Sequence, residues 1–187
     1  MSIIAVWCRH KDDNIIGIGE KIPWYIPSDL QRFKRITIEK NIVVGRKTYE
    51  SFPNRTLPKR KMFILTKDVT YEPSDANNHY TVKDMKKLKS VEDDLYIAGG
   101  ASIYAKFLSK AQFMPDVIVD SVFLGDLEDL DGKTVDISAS VEIMEKKYFK
   151  LSDTYIEDNV ETSIWIKKSD FVDQNLVKNI IATIENK

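Results

Sequence analysis

Short apolar runs rich in β-branched residues alternate along the chain with segments that have the periodicity of helices. The runs predicted to be buried strands cover residues 3–8, 41–45, 62–66, 95–98 and 117–123. Helices are predicted over 29–37, after Thr48, over 82–89 and over 102–108. Such alternation is typical of a mainly parallel sheet covered by helices on both faces. Residues 147–156 and 161–168 resemble a strand pair that would close the sheet antiparallel, so the sequence predicts a mixed α/β fold.

The composition narrows the number of domains and the classes of partner. The chain has 187 residues, with 28 Lys and Arg against 29 Asp and Glu, and a single cysteine. This length fits one domain, or one domain with an appendage. The balanced charge gives no reason to expect nucleic acid or an anionic membrane as a partner. No apolar run is long enough to cross a bilayer or has the form of a signal peptide, so a cytoplasmic protein is expected.

One carboxylate, Asp29, lies in the segment KIPWYIPSDLQRFK, between a Pro-Trp turn and an apolar helix face. Pro27 is predicted as an early helical residue, and Leu30, Phe33 and Ile36 recur at helical spacing. Asp29 lies one turn before Phe33 and therefore shares its face. The stretch alone leaves two interpretations open: Asp29 caps the helix, or it is a functional acid on a face that should be buried.

Two glycine-bearing turns connect predicted strands to predicted helices. In VVGRKTYESF, Gly45 ends the strand, Thr48 is predicted to cap the helix, and Arg46 and Lys47 provide cations suited to phosphate. In LYIAGGASIYAKF, paired glycines would let the backbone approach a ligand closely. Neither turn has the spacing of the G-x-G-x-x-G motif or of a P-loop. Together, at the carboxyl ends of strands, they favour a nucleotide-type cofactor.

The remaining reactive residue types give no sign of other chemistry. The two histidines, His10 and His79, lie among polar neighbours without metal-ligand spacing, and both are predicted to be at the surface. No metal site is expected. Cys8 lies in an apolar run and is predicted to be a buried, inert thiol. No G-x-S-x-G motif is present, so a hydrolase of that type is not indicated.

Several segments are similar to the dihydrofolate reductase family, of bacterial or phage type. The segments IPWYIPSDLQRFK, VVGRKTYESF, LPKRKMFILT and YIAGGASIYAKF occur in the order and spacing of that family, and IIAVW and IIGIG resemble its first strand and following loop. The resemblance covers residues 3 to about 168, and residues 1–168 are expected to form the reductase-like domain. It implies NADPH-dependent reduction of 7,8-dihydrofolate to 5,6,7,8-tetrahydrofolate, and binding of antifolate inhibitors.

The resemblance also implies roles for residues of the substrate pocket. Asp29 matches the one carboxylate of the pocket, which binds the pteridine amino group and ring N–H and assists protonation of the ring nitrogen. Arg60 matches the arginine that grips the glutamate α-carboxylate of the substrate with a pair of N–H groups. Apolar and aromatic contacts with the substrate are implied at Ile4, Val6, Leu30, Phe33, Phe52, Leu57, Ala98 and Tyr104.

A second set of residues matches the cofactor site of the family. Val6, Ile16 and Thr48 match positions that frame the nicotinamide. Gly99 and Gly100 match a pair whose peptide bond is cis. The phosphates and the adenosine end are implied to contact Gly45, Arg46, Lys47, Leu65, Thr66, Lys67, Ala101, Ser102 and Ile103.

The chain departs from the family pattern at the strand that contains VIVDSV. A threonine that usually bonds to the catalytic acid aligns with Asp120, which would bring two carboxylates together and raise one pKa. The alternative is a register shift by which Ser121 takes the place of the threonine. Ala98 replaces a larger aliphatic residue, and the segment LGDLEDLDG matches the usual loop only in part.

Two other functions are weighed against dihydrofolate reduction. One is the related pyrimidine reductase of riboflavin biosynthesis, which shares the fold and cofactor. The other is a catalytically silent folate-binding protein. Asp29 between Pro27 and Phe33, with Arg60 after a Leu-Pro pair, favours folate over the pyrimidine.

Residues 169–187 extend past the resemblance and are predicted to form an amphipathic helix. Its apolar positions are four apart at Val172, Leu176, Ile180 and Ile184, with Ser169 or Asp170 as a cap. A helix this short is marginal alone, so its apolar stripe must dock. Docking on the same chain is favoured over a dimer contact, and a monomer is expected.

Overall fold

The computed structural model of the protein describes residues 1–75, 77–168 and 171–185. Its strands are β1 (Ile3–His10), β2 (Ile15–Ile18), β3 (Asn41–Gly45), β4 (Lys61–Leu65), β5 (His79–Val82), β6 (Leu95–Ile97), β7 (Val117–Phe123), β8 (Thr134–Asp136), β9 (Tyr148–Glu157) and β10 (Val160–Lys167). Its helices are α1 (Pro27–Thr37), α2 (Arg46–Ser51), α3 (Ala101–Leu108), α4 (Ser138–Lys147) and α5 (Gln174–Glu185). Short 3-10 turns cover Pro53–Arg55, Met85–Ser90 and Ala111–Phe113.

Eight strands form one sheet in the order β5-β4-β3-β6-β1-β7-β10-β9. β10 runs antiparallel to β7 and β9, and the other neighbouring strands run parallel. The predicted mainly parallel sheet with an antiparallel closing pair is therefore confirmed. Because β3, β6 and β1 are parallel neighbours, the loops that follow them meet at one edge of the sheet, where ligands of such folds bind.

Apolar side chains fill both faces of the sheet and form two cores. Alternate residues of β1 point to opposite faces, as strand geometry requires. The first core lies under α3 and α4 and includes Ala5, Trp7, Ile97, Tyr104 and Phe107. The second core lies under α1, α2 and α5 and includes Ile4, Val6, Ile36, Val44 and Ile180. The continuous apolar runs of the sequence thus correspond to strands buried on both sides.

One predicted helix, over residues 82–89, is wrong in type. Val82 is the last residue of β5, which pairs in parallel with β4. A 3-10 turn follows, in which Met85 and Leu88 are buried. The Asp84 side chain accepts a hydrogen bond from the backbone of Lys86 at 3.0 Å and caps this turn. Buried residues three apart fit a 3-10 turn as well as an α-helix, so the apolar pattern alone did not separate the two.

Besides β5, two further strands and one helix were not predicted from the sequence. β2 and β8 are only four and three residues long and pair with each other outside the main sheet. α4 buries Ser140, Val141 and Met144, which gives it a weak apolar stripe. Within the described part of the chain, the helices are all too short or too polar to cross a membrane.

α5 docks on its own chain, as predicted. Its apolar residues Leu176, Val177, Ile180 and Ile184 are buried in the second core. Nε of Arg35 in α1 donates to the carbonyl of Thr183 at 3.2 Å. The predicted caps, Ser169 and Asp170, lie outside the described residues, and the boundary at residue 168 remains a prediction.

Candidate active site

Asp29 is the third residue of α1, the helix that forms one side of the site. Pro27 begins the helix and Ile26 flanks it with an extended backbone, so no side chain caps this end. The Asp29 side chain is 17% exposed, and its Oδ1 accepts a hydrogen bond from Nη1 of Arg32 at 3.3 Å. Asp29 is therefore not a capping residue, and a functional acid is the interpretation that fits its position.

Opposing influences set the ionisation of Asp29. Burial raises the pKa of Asp29 above its ordinary value, whereas the Arg32 charge and a hydrogen bond from the Cys8 thiol lower it. Burial and the nearby carboxylates raise the pKa of Cys8 well above its usual range, so the thiol stays protonated. An ionised Asp29 in these surroundings can accept hydrogen bonds from a planar ligand edge with two N–H groups.

Cys8 and Arg32 were not recognised as parts of the site from the sequence. Cys8 is half-buried and contacts Asp29, rather than being an isolated core thiol. It follows Ile4 and Val6 at two-residue steps along β1, so the strand period could have placed it on their face. Arg32 lies three residues after Asp29, a spacing at which side chains meet on a helix.

The second core brings together most of the predicted apolar wall. The predicted substrate residues in or against it are Ile4, Val6, Phe33, Phe52, Leu57 and Ala98. Leu30 lies outside this group, on the surface of α1, and is 48% exposed. These side chains pack in or against one apolar core, and Phe33 among them lies one helical turn after Asp29. Their contacts with a substrate remain predictions.

Tyr104 lies on the opposite face of the sheet from that wall. Its ring packs in the first core, with an edge-on contact to Trp7 at 5.1 Å between ring centroids. Its hydroxyl donates to the carbonyl of Val6 at 2.7 Å. The Tyr104 side chain is buried and its hydroxyl already has a hydrogen-bond partner. Its position therefore does not support the predicted contact with the substrate.

Arg60 is buried at the carboxyl end of α1. Nε donates to the carbonyl of Thr37, Nη1 to that of Pro58, and Nη2 to the carbonyl of Lys34 and to Oγ1 of Thr37. These four bonds use four of the five N–H donors of a guanidinium. A paired grip on a carboxylate needs two donors, so the predicted bidentate role requires Arg60 to exchange one of these bonds.

The two glycine turns lie side by side and are bonded to each other. The N–H of Gly45 donates to the carbonyl of Gly99 at 2.8 Å. A Cβ on Gly45 would lie 3.0 Å from Cγ1 of Ile103, and one on Gly100 would lie 3.0 Å from Oγ1 of Thr48. The Gly99–Gly100 peptide bond is cis, as the resemblance implied. The glycines thus leave a narrow cradle of backbone at the carboxyl ends of β3 and β6.

The start of α3 points free N–H groups toward this cradle. Ala101 and Ser102 are the first helical residues, and their N–H groups have no partner within the helix. The N–H of Ile103 already donates to the carbonyl of Gly100 at 2.9 Å. The predicted pyrophosphate contact through the Ile103 N–H is therefore not supported. The N–H groups of Ala101 and Ser102 are still suited to bind an anion.

The cations of the first turn lie at the entrance to the cradle. Arg46 forms an exposed ion pair with Asp68, with Nη1 and Oδ2 at 3.5 Å, and Lys47 is exposed. Thr48 is the third residue of α2 and does not cap it, because the helix begins at Arg46 after Gly45. The predicted cap is wrong in position. Leu65, Thr66 and Lys67 follow at the end of β4, and Ile16 packs against the first core.

Asp120 and Ser121 point to opposite faces of the sheet. Oδ1 of Asp120 accepts from Nε1 of Trp7 at 2.7 Å, and both its oxygens bond to Arg9. Ser121 pairs in register with Cys8, and its hydroxyl lies 2.9 Å from that of Thr162. Of the two alternatives left open by the sequence, the approach of Asp120 to the catalytic acid is excluded, because strand register turns its side chain toward Trp7 of the first core. The alternative, in which Ser121 lies on the pocket face, is supported.

The prediction that both histidines lie at the surface is wrong. His10 is buried, with Nδ1 at 2.8 Å from Oδ1 of Asp13. His79 is buried, with Nδ1 at 2.8 Å from the hydroxyl of Tyr49, and burial lowers its pKa. Their polar neighbours are the partners that allow burial. Neither residue belongs to the site.

A backbone cradle suited to phosphates and an apolar wall with a partly buried acid on α1 lie at the carboxyl ends of strands in a mainly parallel sheet. The fold and this site together define a nucleotide-dependent α/β oxidoreductase. The family model described as "Dihydrofolate reductase" matches residues 2–164. The chain belongs to the dihydrofolate reductase family.

Individual relatives agree with this assignment. Dihydrofolate reductase of Lactococcus lactis is 37% identical over 131 residues, which are 66% of this chain and 75% of the relative. That of Enterococcus faecium is 31% identical over 125 residues, 66% of this chain and 74% of the relative. A solved structure, dihydrofolate reductase from Enterococcus faecalis complexed with NADP(H) and RAB-propyl, has a TM-score of 0.72 at 20% identity, covering 90% of this chain and 97% of that chain. This structural likeness confirms the fold.

Proposed function

We propose that the protein reduces dihydrofolate to tetrahydrofolate with NADPH. The observation that supports this most directly is the position of Asp29, a buried carboxylate beside an apolar wall. Membership of the family and the relatives named dihydrofolate reductase support the same activity. The riboflavin-pathway reductase is not favoured, because the family model and these relatives are all dihydrofolate reductases.

Asp29 would recognise and activate the pteridine. Its carboxylate accepts hydrogen bonds from the amino group and the ring N–H of the substrate, which fixes the ring against the wall. The negative charge raises the proton affinity of the ring nitrogen that must gain a proton during reduction. The protonated Cys8 thiol donates a hydrogen bond to the same carboxylate and favours its ionised form. Phe33, Phe52 and Leu57 exclude water around the rings.

The glycine cradle would hold NADPH, which supplies the hydride when bound. The residues present fit this cofactor, because Gly45 and Gly100 have no Cβ to press on Ile103 and Thr48, so the two turns pack closely and present backbone at the carboxyl ends of β3 and β6, where ligands of such sheets bind. Ala101 and Ser102 offer N–H groups to phosphate oxygens. Arg46 and Lys67 offer charge to the adenosine 2′-phosphate. The structurally similar dihydrofolate reductase from Enterococcus faecalis was solved in complex with NADP(H).

The test is consumption of NADPH on addition of dihydrofolate, followed by its absorbance. We expect turnover that stops on addition of a diaminopyrimidine antifolate and falls sharply in Asp29→Asn. The ribosylaminopyrimidine substrate of the riboflavin pathway should give no turnover. Tight binding of dihydrofolate without turnover would instead identify a silent folate-binding protein. A cytoplasmic location and a monomeric state remain predictions from the sequence.

A further inference from the structure

Arg32 joins Asp29 to a second carboxylate on a distant element. Its Nη1 lies 3.3 Å from Oδ1 of Asp29, and its Nη2 lies 3.2 Å from Oε2 of Glu157. The Arg32 side chain is 2% exposed, whereas that of Glu157 is 30% exposed. Glu157 is the last residue of β9, the edge strand of the sheet. A buried cation is thus shared between a buried acid of the site and a half-exposed acid outside it.

Packing alone does not explain Arg32. Its Nε is buried and has no hydrogen-bond partner among the residues that the structure describes. A buried polar atom without a partner destabilises a fold. A hydrophobic residue of similar volume would fill the same space without this cost. The residue therefore has a role beyond filling the space under α1.

The titratable groups to consider beside Asp29 come from β1, β7, α1 and β9. The protonated Cys8 thiol donates a hydrogen bond to Asp29, as described above. Asp120 points to the opposite face and is neutralised there by Arg9. Arg32, on α1, is the cation that contacts Asp29 within residues 1–75, 77–168 and 171–185. Glu157 acts on Asp29 through Arg32 from β9. The electrostatic stabilisation of the Asp29 carboxylate thus depends on how strongly Arg32 bonds to Asp29 and how strongly it bonds to Glu157.

We propose that Arg32 is a positioning residue that keeps Asp29 ionised and oriented, and that Glu157 limits its hold on Asp29. The bond to Oδ1 favours the charged carboxylate before a ligand arrives. The competing bond to Glu157 prevents Arg32 from pairing fully with Asp29, so that ligand N–H groups can bind. This inference rests on the proposed function for the identity of the ligand. The sharing of one cation by two acids does not depend on it.

The experiment is an NMR titration of the carboxyl carbons in the ligand-free full chain labelled at aspartate. The Asp29 signal is identified by its absence in Asp29→Asn. In Arg32→Met we expect the Asp29 midpoint to move to higher pH, because a stabilising cation is lost. In Glu157→Gln it should move to lower pH, because Arg32 can then bond to Asp29 alone. Arg35→Met removes the same charge from the α5 side of α1 and should leave the midpoint unchanged.

A binding measurement tests the consequence for ligands. The affinity of a diaminopyrimidine antifolate should be measured as a function of pH. The pH at which this affinity falls on the acidic side should shift in each variant in the same direction as the Asp29 midpoint. If the salt bridges were purely structural, both variants would melt at a lower temperature. Their Asp29 midpoints would then not move in opposite directions. Arg32→Lys keeps the positive charge, so its Asp29 midpoint should lie close to that of the unmodified protein and not to that of Arg32→Met.

Several results would overturn the proposal. A midpoint that stays in place in Arg32→Met, or that rises in Glu157→Gln, shows that Arg32 does not govern Asp29. If Arg32→Met fails to fold, Glu157→Gln decides alone, because its half-exposed position tolerates an amide. The titration requires no turnover. Opposite shifts in a protein inactive toward dihydrofolate would therefore contradict the proposed function and leave this inference intact.

Discussion

Arg60 bonds twice to Thr37, with Nε to the carbonyl oxygen at 3.3 Å and Nη2 to the hydroxyl at 3.1 Å. Thr37 is the last residue of α1, so this pair fixes the end of the helix to the segment before β4. The Thr37 hydroxyl in turn donates to the carbonyl of Phe33 at 2.6 Å. A residue predicted to bind ligand is therefore also part of the framework.

Arg60→Lys should raise the Michaelis constant for dihydrofolate and leave that for NADPH nearly unchanged. Lysine keeps the charge but not the planar set of donors. It should also lower the free energy of unfolding by about 1–3 kcal/mol, since buried carbonyls lose partners. Steady-state kinetics and urea unfolding measure the two effects. Lys59→Gln, at the exposed neighbouring position, is the control and should change neither. Equal damage to both ligands would place Arg60 elsewhere.

Asp29→Asn should lower turnover at neutral pH by about 10²-fold or more, the usual contribution of a positioned acid–base group. The amide cannot accept two charge-assisted bonds or raise the proton affinity of the ring nitrogen. Lower pH should restore part of the rate, because substrate protonated in solution bypasses the missing group. The pH profile of turnover measures this, with the exposed Asp93→Asn as control. Activity near that of the unmodified protein at neutral pH would refute the assignment.

The same substitution should change how stability depends on pH. Burial raises the pKa of folded Asp29 above the ordinary 3.8, so the folded state binds this proton more tightly than the unfolded chain. The contribution of Asp29 to the stability of the unmodified protein therefore falls as pH rises from about 3.8 through the folded pKa. Asp29→Asn lacks this decline. Its free energy of unfolding, relative to the unmodified protein, should increase across that window and level off above it. Urea unfolding at a series of pH values would show a constant difference if the pKa were not raised.

Lys67→Ala should weaken NADPH more than NADH, because only NADPH has the 2′-phosphate. Asp68→Asn should have the opposite effect, since it frees Arg46 from its ion pair and removes a negative charge. Each change should be about two- to five-fold, as is usual for exposed charges, and should shrink at high salt. Cofactor binding measured by fluorescence gives both ratios. A preference that neither variant alters would move the 2′-phosphate away from this turn.

Ile180→Ala in α5 should lower the free energy of unfolding by about 2–5 kcal/mol, because the side chain is buried in the second core. The Michaelis constants of the folded variant should stay nearly unchanged, as α5 supplies no predicted site residue. Lys178→Ala, on the exposed side of the helix, is the control. Truncation after Lys168 should lower stability or solubility further. A stable truncated enzyme that binds its ligands poorly would show that α5 helps to build the site.

Local patterns were sufficient for seven of the eight strands of the main sheet and for part of the site. The β-branched runs around Val43 and Val119 marked buried strands, because such runs suit a sheet covered on both faces. The glycines at 45 and 99 marked the cradle, because a turn and close backbone approach restrict the residue types there. Asp29 stood out by spacing, and the family resemblance gave it a role.

The features that were missed depend on contacts between distant residues. Arg32 and Glu157 are separated by 125 positions, and nothing local to either indicates the pair. His79 is buried because Tyr49, 30 residues earlier, supplies its hydrogen bond. The sequence left open whether Asp120 or Ser121 faces the pocket, because one step of strand register reverses every side chain. Such information arises only when the sheet is assembled.

α1 has Asp29 near its first turn and Thr37, with Arg60, at its last residue. Eight residues of helix rise by about 12 Å, a length that backbone hydrogen bonds make nearly rigid. If Asp29 and Arg60 have the roles predicted for them, the helix fixes the separation between the ring of a ligand and its acidic tail. A short inhibitor that reaches only Asp29 does not sense the far end. Substitutions around Thr37 and Arg60 could then penalise the long natural substrate while leaving compact inhibitors unaffected. Resistance to such compact inhibitors would then have to arise from substitutions near Asp29.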